Sequence, residues 1–168
     1  MNIFATSRSP KLSATWLDDL RANKMILESC QLLSTAINTV HDNHGLKTYK
    51  NFNPNHPCGL WVRESKQHFW WLLLHLKNLL ELRGRPEHKC YTNYNLCNNW
   101  FEEFHWKLPN NGMLGFQNSA ANEGAGISYK NVKDVHLAYR LYLNHRWKED
   151  KKPPTWNTGL KPDWCDLN

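Results

Sequence analysis

Between Lys47 and Arg63 the chain gathers Lys47, Tyr49, Lys50, Asn51, Asn53, Asn55, His56, Trp61 and Arg63 into one connector. Cations and amides bind phosphate oxygens and aromatic rings stack on bases, so this mixture has the chemistry of a phosphate- and base-binding loop. A plain connection between helices needs only a few turn residues. A second group lies upstream, where Arg21, Lys24, Glu28, Gln31 and Thr35 recur at alternating steps of three and four, on one side of a helix. Left in solvent, that stripe would carry a Lys24–Glu28 pair worth a few tenths of a kcal/mol. Turned toward the connector, it forms an anion-binding cleft with Glu28 as the central carboxylate. The expected ligand-binding residues are therefore Arg21, Lys24, Tyr49, Lys50, Asn55, His56 and Arg63, with Glu28 as the acid or base.

Other chemistries find little footing. There is no G-x-S-x-G, no Gly-rich phosphate loop followed by Lys-Ser/Thr and no H-E-x-x-H. His56 and His136 each lack a partner placed by sequence. Asp18/Asp19 and Glu102/Glu103 are chain neighbours that diverge on a helix, so neither is a natural catalytic dyad. His88, Cys90 and Cys97 lack a paired C-x-x-C, and no metal site or cofactor is expected. The five cysteines are odd in number and irregularly spaced, which favours reduced thiols over a disulfide framework.

Composition points the same way. The 168 residues are 40% apolar with nine Trp, enough to bury one core, so a single domain over 1–168 is expected. The net charge of +6 favours a polyanionic partner. That charge is concentrated in residues 1–90, which carry 12 Lys and Arg against 7 Asp and Glu. No cationic leader with a long apolar run opens the chain, and no window reaches the length that spans a bilayer. A soluble, cytoplasmic protein is the expectation.

These groups must be positioned by helices. Ser9-Pro10 is a capping hydroxyl followed by a first-turn proline, opening a short helix to about Leu17. Asp18 or Asp19 caps the next, from Leu20 to Val40, where Met25, Ile26, Cys30, Leu33, Ala36, Ile37 and Val40 recur at helical spacing. A central core helix begins near Ser65 and runs through Phe69, Trp70, Leu72, Leu73, Leu76, Leu79 and Leu80 until Gly84 and Pro86 stop it. Another is predicted over Tyr91 to Phe104 despite four asparagines. Residues 113–128, rich in Gly and Asn, read as a long mobile loop. Asn131 with Asp134 resembles a capping box opening a last helix through Trp147. The tail, with Pro153, Pro154, Pro162, Trp156 and Trp164, reads as an extended strap over the core. The expected class is all-α, a compact single-domain helical bundle.

The opening MNIF, the LDDLR step and the YKN and NHP elements resemble small phage and bacterial proteins grouped with the pyrimidine-dimer DNA glycosylases of the endonuclease-V type. KMILESCQLLSTA, HPCGLWVRES and AYRLYLNHRWKEDKKPPTW are similar to uncharacterised tailed-phage proteins, over nearly the whole chain. The glycosylase resemblance implies a helical fold, an amino-terminal amine that attacks sugar C1′ to form a Schiff base, and a Glu beside an Arg on the first long helix. Arg21 matches that Arg, but Ala22 stands where the family has its Glu, leaving Glu28 two turns further on. A Met-Asn start disfavours removal of Met1, so the amine would be that of Met1. Amino-terminal amines are much less basic than lysine and can act as nucleophiles. The resemblance thus implies a DNA glycosylase/AP lyase acting on a damaged or modified pyrimidine, in the host cytoplasm if phage-encoded. The missing Glu favours a different class, a counter-defence protein that sequesters a host nucleotide signal without cleaving it.

Overall fold

The structure, a computed structural model, describes residues 1–84 and 88–167. The chain is mostly helical, as its patterning predicts. Ser9 Oγ accepts the Leu12 N–H at 3.3 Å to start α1 (Pro10–Thr15). Asp18 caps α2 (Asp19–Val40), whose residues Met25, Cys30, Leu33, Ala36 and Ile37 are buried.

The connector contains a helix that its amide-rich composition concealed. His56 Nδ1 accepts the Cys58 N–H at 3.1 Å, Pro57 occupies the first turn, and α3 (Pro57–Glu64) follows. Cys58, Trp61 and Val62 enter the core from it. Ser65, extended at ψ 144°, breaks α3 from α4 (Lys66–Arg83) and caps the latter.

Helix α4 is central and packs against α1, α2, α3 and α5 (Lys89–Phe104). Phe69, Leu72, Leu73, Leu76 and Leu79 are fully buried, whereas Trp70 turns outward and stacks on Phe101 at 5.2 Å. Gly84 ends the helix at φ +57°, a left-handed position that glycine adopts without strain. Pro86, the second expected stop, lies outside the described residues. Helix α5 tolerates its asparagines because Cys90, Asn93, Cys97 and Trp100 bury one face, with Asn93 Nδ2 donating to Ser34 Oγ at 3.0 Å.

Residues 113–128 are tied down, not a free loop. They include a short antiparallel pair, β1 (Ala121–Asn122) with β2 (Ile127–Ser128), that no alternation in the sequence announced. Asn118 organises the turn: its Nδ2 donates to Tyr129 O, Lys130 O and Val132 O, and its Oδ1 accepts the Ala120 N–H. The last helix, α6 (Val135–Glu149), is capped by Asp134 itself, whose Oδ1 accepts from His136 N and Leu137 N. Asn131 is therefore three residues ahead of the cap and not the cap of a box.

The C-terminal segment closes over the junction of α1, α2 and α6. Trp147 stacks on Trp164 at 5.4 Å and meets Trp156 edge-on at 5.1 Å. Leu160 N donates to Thr15 O, and Asp19 N to Thr155 O. Burial raises the Asp19 carboxyl, but hydrogen bonds from Thr155 and Asn157 and the Arg83 guanidinium outweigh it and hold the group below the usual range. Among the described residues no helix is long and apolar enough to cross a membrane.

Candidate functional site

The polar stripe of α2 is covered at Arg21, Glu28 and Thr35, while Lys24 stays exposed. Arg21, Glu28 and Thr35 are 7%, 8% and 1% exposed. The connector covers its far end, where Phe52 N donates to Thr35 Oγ1 at 3.1 Å. The near end is covered by the first residues of the chain. Asn2 N donates to Glu28 Oε2 at 2.9 Å, Asn2 Nδ2 to Ser119 O at 3.1 Å, and Asn2 Oδ1 accepts from Ile3 N and Phe4 N. The backbone N–H and the side-chain amide of Asn2 thus fix the path of the chain beside Glu28. That path is strained: Phe4 sits at φ +37°, held between Tyr139 and Tyr142 with ring centroids 6.0 and 6.1 Å away.

Two hollows meet at this point. One, of about 380 Å³, is lined by Met1, Asn2, Phe4, Arg21, Lys24, Glu28, Tyr142 and Arg146, among others. The other, of about 500 Å³, is lined by Met1, Asn2, His56, Gln117, Asn118, Ser119, Glu123 and Lys130, among others. Met1, Asn2 and Ala121 are walls of both.

The first hollow is rich in cationic side chains. Its lining carries Arg21, Lys24 and Arg146 against one carboxylate, Glu28. These cations are not equivalent. The Arg21 guanidinium is gripped by both oxygens of Asp150 and by Asp18 Oδ2 at 3.3 Å, which also caps α2. It ties α2 to Asp150 at the end of α6, so the guanidinium expected to hold phosphate is already bound by two carboxylates where it lines the hollow. Lys24 is 66% exposed along its side chain, with Nζ 3.6 Å from Glu28 Oε1. The Arg146 side chain forms no hydrogen bond or ion pair among the described residues, and Lys24 reaches only Glu28.

His56 faces the second hollow. Burial, and then the positive charge of the terminal amine, lower its pKa, while Glu28 opposes them, so amine, carboxylate and imidazole act on one another electrostatically. The neighbouring Cys58 thiol is pushed up to about 11, chiefly by burial, and is no nucleophile at neutral pH.

Four expected residues lie elsewhere. Tyr49 points its hydroxyl at Cys90 Sγ, 3.7 Å away, with Lys89 Nζ 5.9 Å from its ring centre. Lys50 and Asn55 are exposed and line neither hollow. Arg63 sits in the last turn of α3, its NH1 enclosed without a hydrogen-bond partner among the described residues. Of the four only Arg63 rides on α3; Tyr49, Lys50 and Asn55 precede its cap, His56. Conversely, Asn2, Gln117, Ser119, Tyr142 and Arg146 belong to the site without having been expected there. Tyr142 and Arg146 are four apart on α6, a spacing that puts both on one face, but nothing in the sequence aims that face at α2.

His88, Cys90 and Cys97 do not form a metal centre: His88 caps α5, and among the described residues no group of three His, Cys, Asp or Glu is placed to hold an ion. All five cysteines are free thiols. No protein-family model, curated protein or solved structure matches the chain, and the site is therefore read from its geometry.

Proposed function

We propose that the protein is a DNA glycosylase/AP lyase that uses the Met1 amine as nucleophile and Glu28 as acid and base. The observation that carries this reading is the contact of Asn2 N with Glu28 Oε2 at 2.9 Å, which brings residue 1 into one cation-lined hollow with the lone carboxylate. It also answers the difficulty raised by Ala22. Glu28 reaches the start of the chain because the segment from Met1 to Phe4 folds back along α2 to meet it.

The amine lone pair forms a bond to C1′ as the glycosidic bond breaks, the base leaving with the electrons of that broken bond and taking a proton from water. Glu28 accepts a proton from the new ammonium and returns it to O4′ as the C1′–O4′ bond opens, leaving a protonated imine between Met1 and C1′. Removal of a C2′ proton by the carboxylate then expels the 3′ phosphate, and water releases the aldehyde and the amine. Lys24 and Arg146 hold the phosphodiester. Extruding the nucleotide costs unstacking energy, least where the base is damaged.

Borohydride added during incubation with an abasic duplex tests this reading, and a covalent protein–DNA adduct is the expected result. Clean DNA binding without an adduct removes the lyase. The sequestration alternative draws support from the modest size of the hollow, about 380 Å³. It predicts saturable binding of a free nucleotide that depends weakly on salt, with no adduct.

A further inference from the structure

Another hollow lies away from Met1, between residues 113–116 and the start of α6. It encloses about 640 Å³ and is lined by Arg8, Trp71, Leu114, Phe116, Lys133 and His136, among others. It shares no lining residue with the two hollows at the start of the chain. We propose that it binds a small aromatic acid, a flat apolar body bearing one carboxylate, independently of the lyase chemistry.

The floor is aromatic and its polar atoms are spent. Trp71, 5% exposed, and Phe116 meet edge-on with ring centres 5.1 Å apart. Phe116 in turn stacks on Trp61 at 5.5 Å and meets the His136 ring at 4.9 Å. Rings fixed in this way offer a flat ligand offset and edge-on contacts. Trp71 Nε1 donates to Arg8 O at 2.7 Å and Trp61 Nε1 to Gly115 O at 2.9 Å. His136 Nδ1 lies 2.6 Å from Ala5 O, which only accepts, so the proton sits there and the neutral ring has no second one. A sugar or a base, which sheds water on entry, finds no ring N–H to pair with on this floor, whereas a hydrocarbon ring has no polar group to lose.

The rim supplies the charge. The exposed side chains of Arg8 and Lys133 form no hydrogen bond or ion pair among the described residues. Arg8 is tied to the aromatic floor, since its carbonyl accepts the Trp71 indole N–H, and Lys133 directly precedes the α6 cap. The one carboxylate of the lining, Asp134, is committed to the Leu137 and His136 N–H groups, the first of which does most to hold it below the usual range. Two cations against one committed carboxylate suit a ligand with a single negative charge, bound through charge-assisted hydrogen bonds. Met113 and Leu114, 45% and 40% exposed, extend the apolar wall to the mouth, where a bound ring covers them. The volume lies in the range of small-molecule sites.

Calorimetric titration of the full chain with naphthylacetate tests the assignment, with the uncharged naphthylacetamide as control. The expected result is one saturable site that prefers the acid about tenfold or more and shifts the NMR resonance of the Trp71 indole N–H. Replacing both cations, Arg8→Gln with Lys133→Gln, alters exposed positions only, so thermal unfolding should be unchanged while affinity for the acid falls about tenfold and that for the amide holds. Met113→Asp, also exposed, sets a carboxylate at the mouth and weakens the acid likewise. Equal affinity for acid and amide, no saturable binding, an unmoved Trp71 resonance, or unchanged affinity in both variants overturns the proposal. So does tighter binding of a short peptide bearing Asp and Trp, which gives the hollow to a protein partner instead. None of these outcomes touches the lyase chemistry, whose residues line other hollows.

Discussion

Glu28→Gln separates the chemical role of the carboxylate from its structural one. The amide oxygen can still accept the Asn2 N–H that now lies 2.9 Å from Oε2, so the fold-back of the first residues is kept. What is lost is the charge and the ability to take a proton. Among the described residues the only ion pair removed is with Lys24, at 3.6 Å and with the lysine 66% exposed, a contact worth a few tenths of a kcal/mol. Urea unfolding should therefore shift by less than about 1 kcal/mol. Cleavage of an abasic duplex under single-turnover conditions should fall about 10²–10⁴-fold, the usual contribution of a general acid–base, or about 3 to 5 kcal/mol of barrier. Glu28→Ala behaves differently in stability, since it strands a buried N–H and costs about 1–3 kcal/mol more. Near-normal cleavage by Glu28→Gln would refute the assignment, as would a loss of cleavage fully accounted for by unfolding.

The remaining expectations concern the frame around the site. His75 is fully buried, its Nδ1–H donates to Pro10 O at 3.1 Å, and burial lowers its pKa from 6.5 to about 4. The unfolded chain binds the proton first, so this contribution is complete above pH 6.5 and is lost as pH falls through 6.5 toward 4, by about 3 kcal/mol in all. His75→Phe keeps the ring stacked on Trp71 and should flatten that part of a pH series of urea titrations. Arg21→Ala leaves Asp18 and Asp150 facing each other without a cation, and chemical denaturation should show a loss of about 3–5 kcal/mol. Gly159→Ala places a methyl 2.6 Å from Thr15 O and 3.2 Å from Leu17 O, which must push the C-terminal segment off α1. Thermal unfolding should report about 1–3 kcal/mol of destabilisation.

Helices α2 and α4 were legible because long apolar periodicity and burial are two views of one fact: Met25, Leu33 and Ile37 repeat at helical spacing and are fully buried. Helix α3 was missed although its signal was present. His56-Pro57 starts it as Ser9-Pro10 starts α1, with an imidazole nitrogen where the serine offers a hydroxyl. The amides around it suggested a loop and hid the cap. In the site, Glu28 and His56 were legible as polar groups on suspicious elements, and the hollows join them through Met1. Gln117 and Arg146 were not, because their neighbours are set by contacts such as Asn2 to Ser119, made across 117 positions that local patterning does not reach. Arg21 was legible as a cation of the polar stripe but not as an ion pair, since Asp150 lies 129 residues away.

Peptide mapping of the borohydride-trapped adduct tests the central claim most directly, with intact mass confirming Met1 as the terminus. The account predicts that a reduced deoxyribose remnant sits on the α-nitrogen of Met1 and that Glu28→Gln sharply reduces its yield. A remnant on Lys24, the other amine of the same hollow, or no adduct at all, contradicts it.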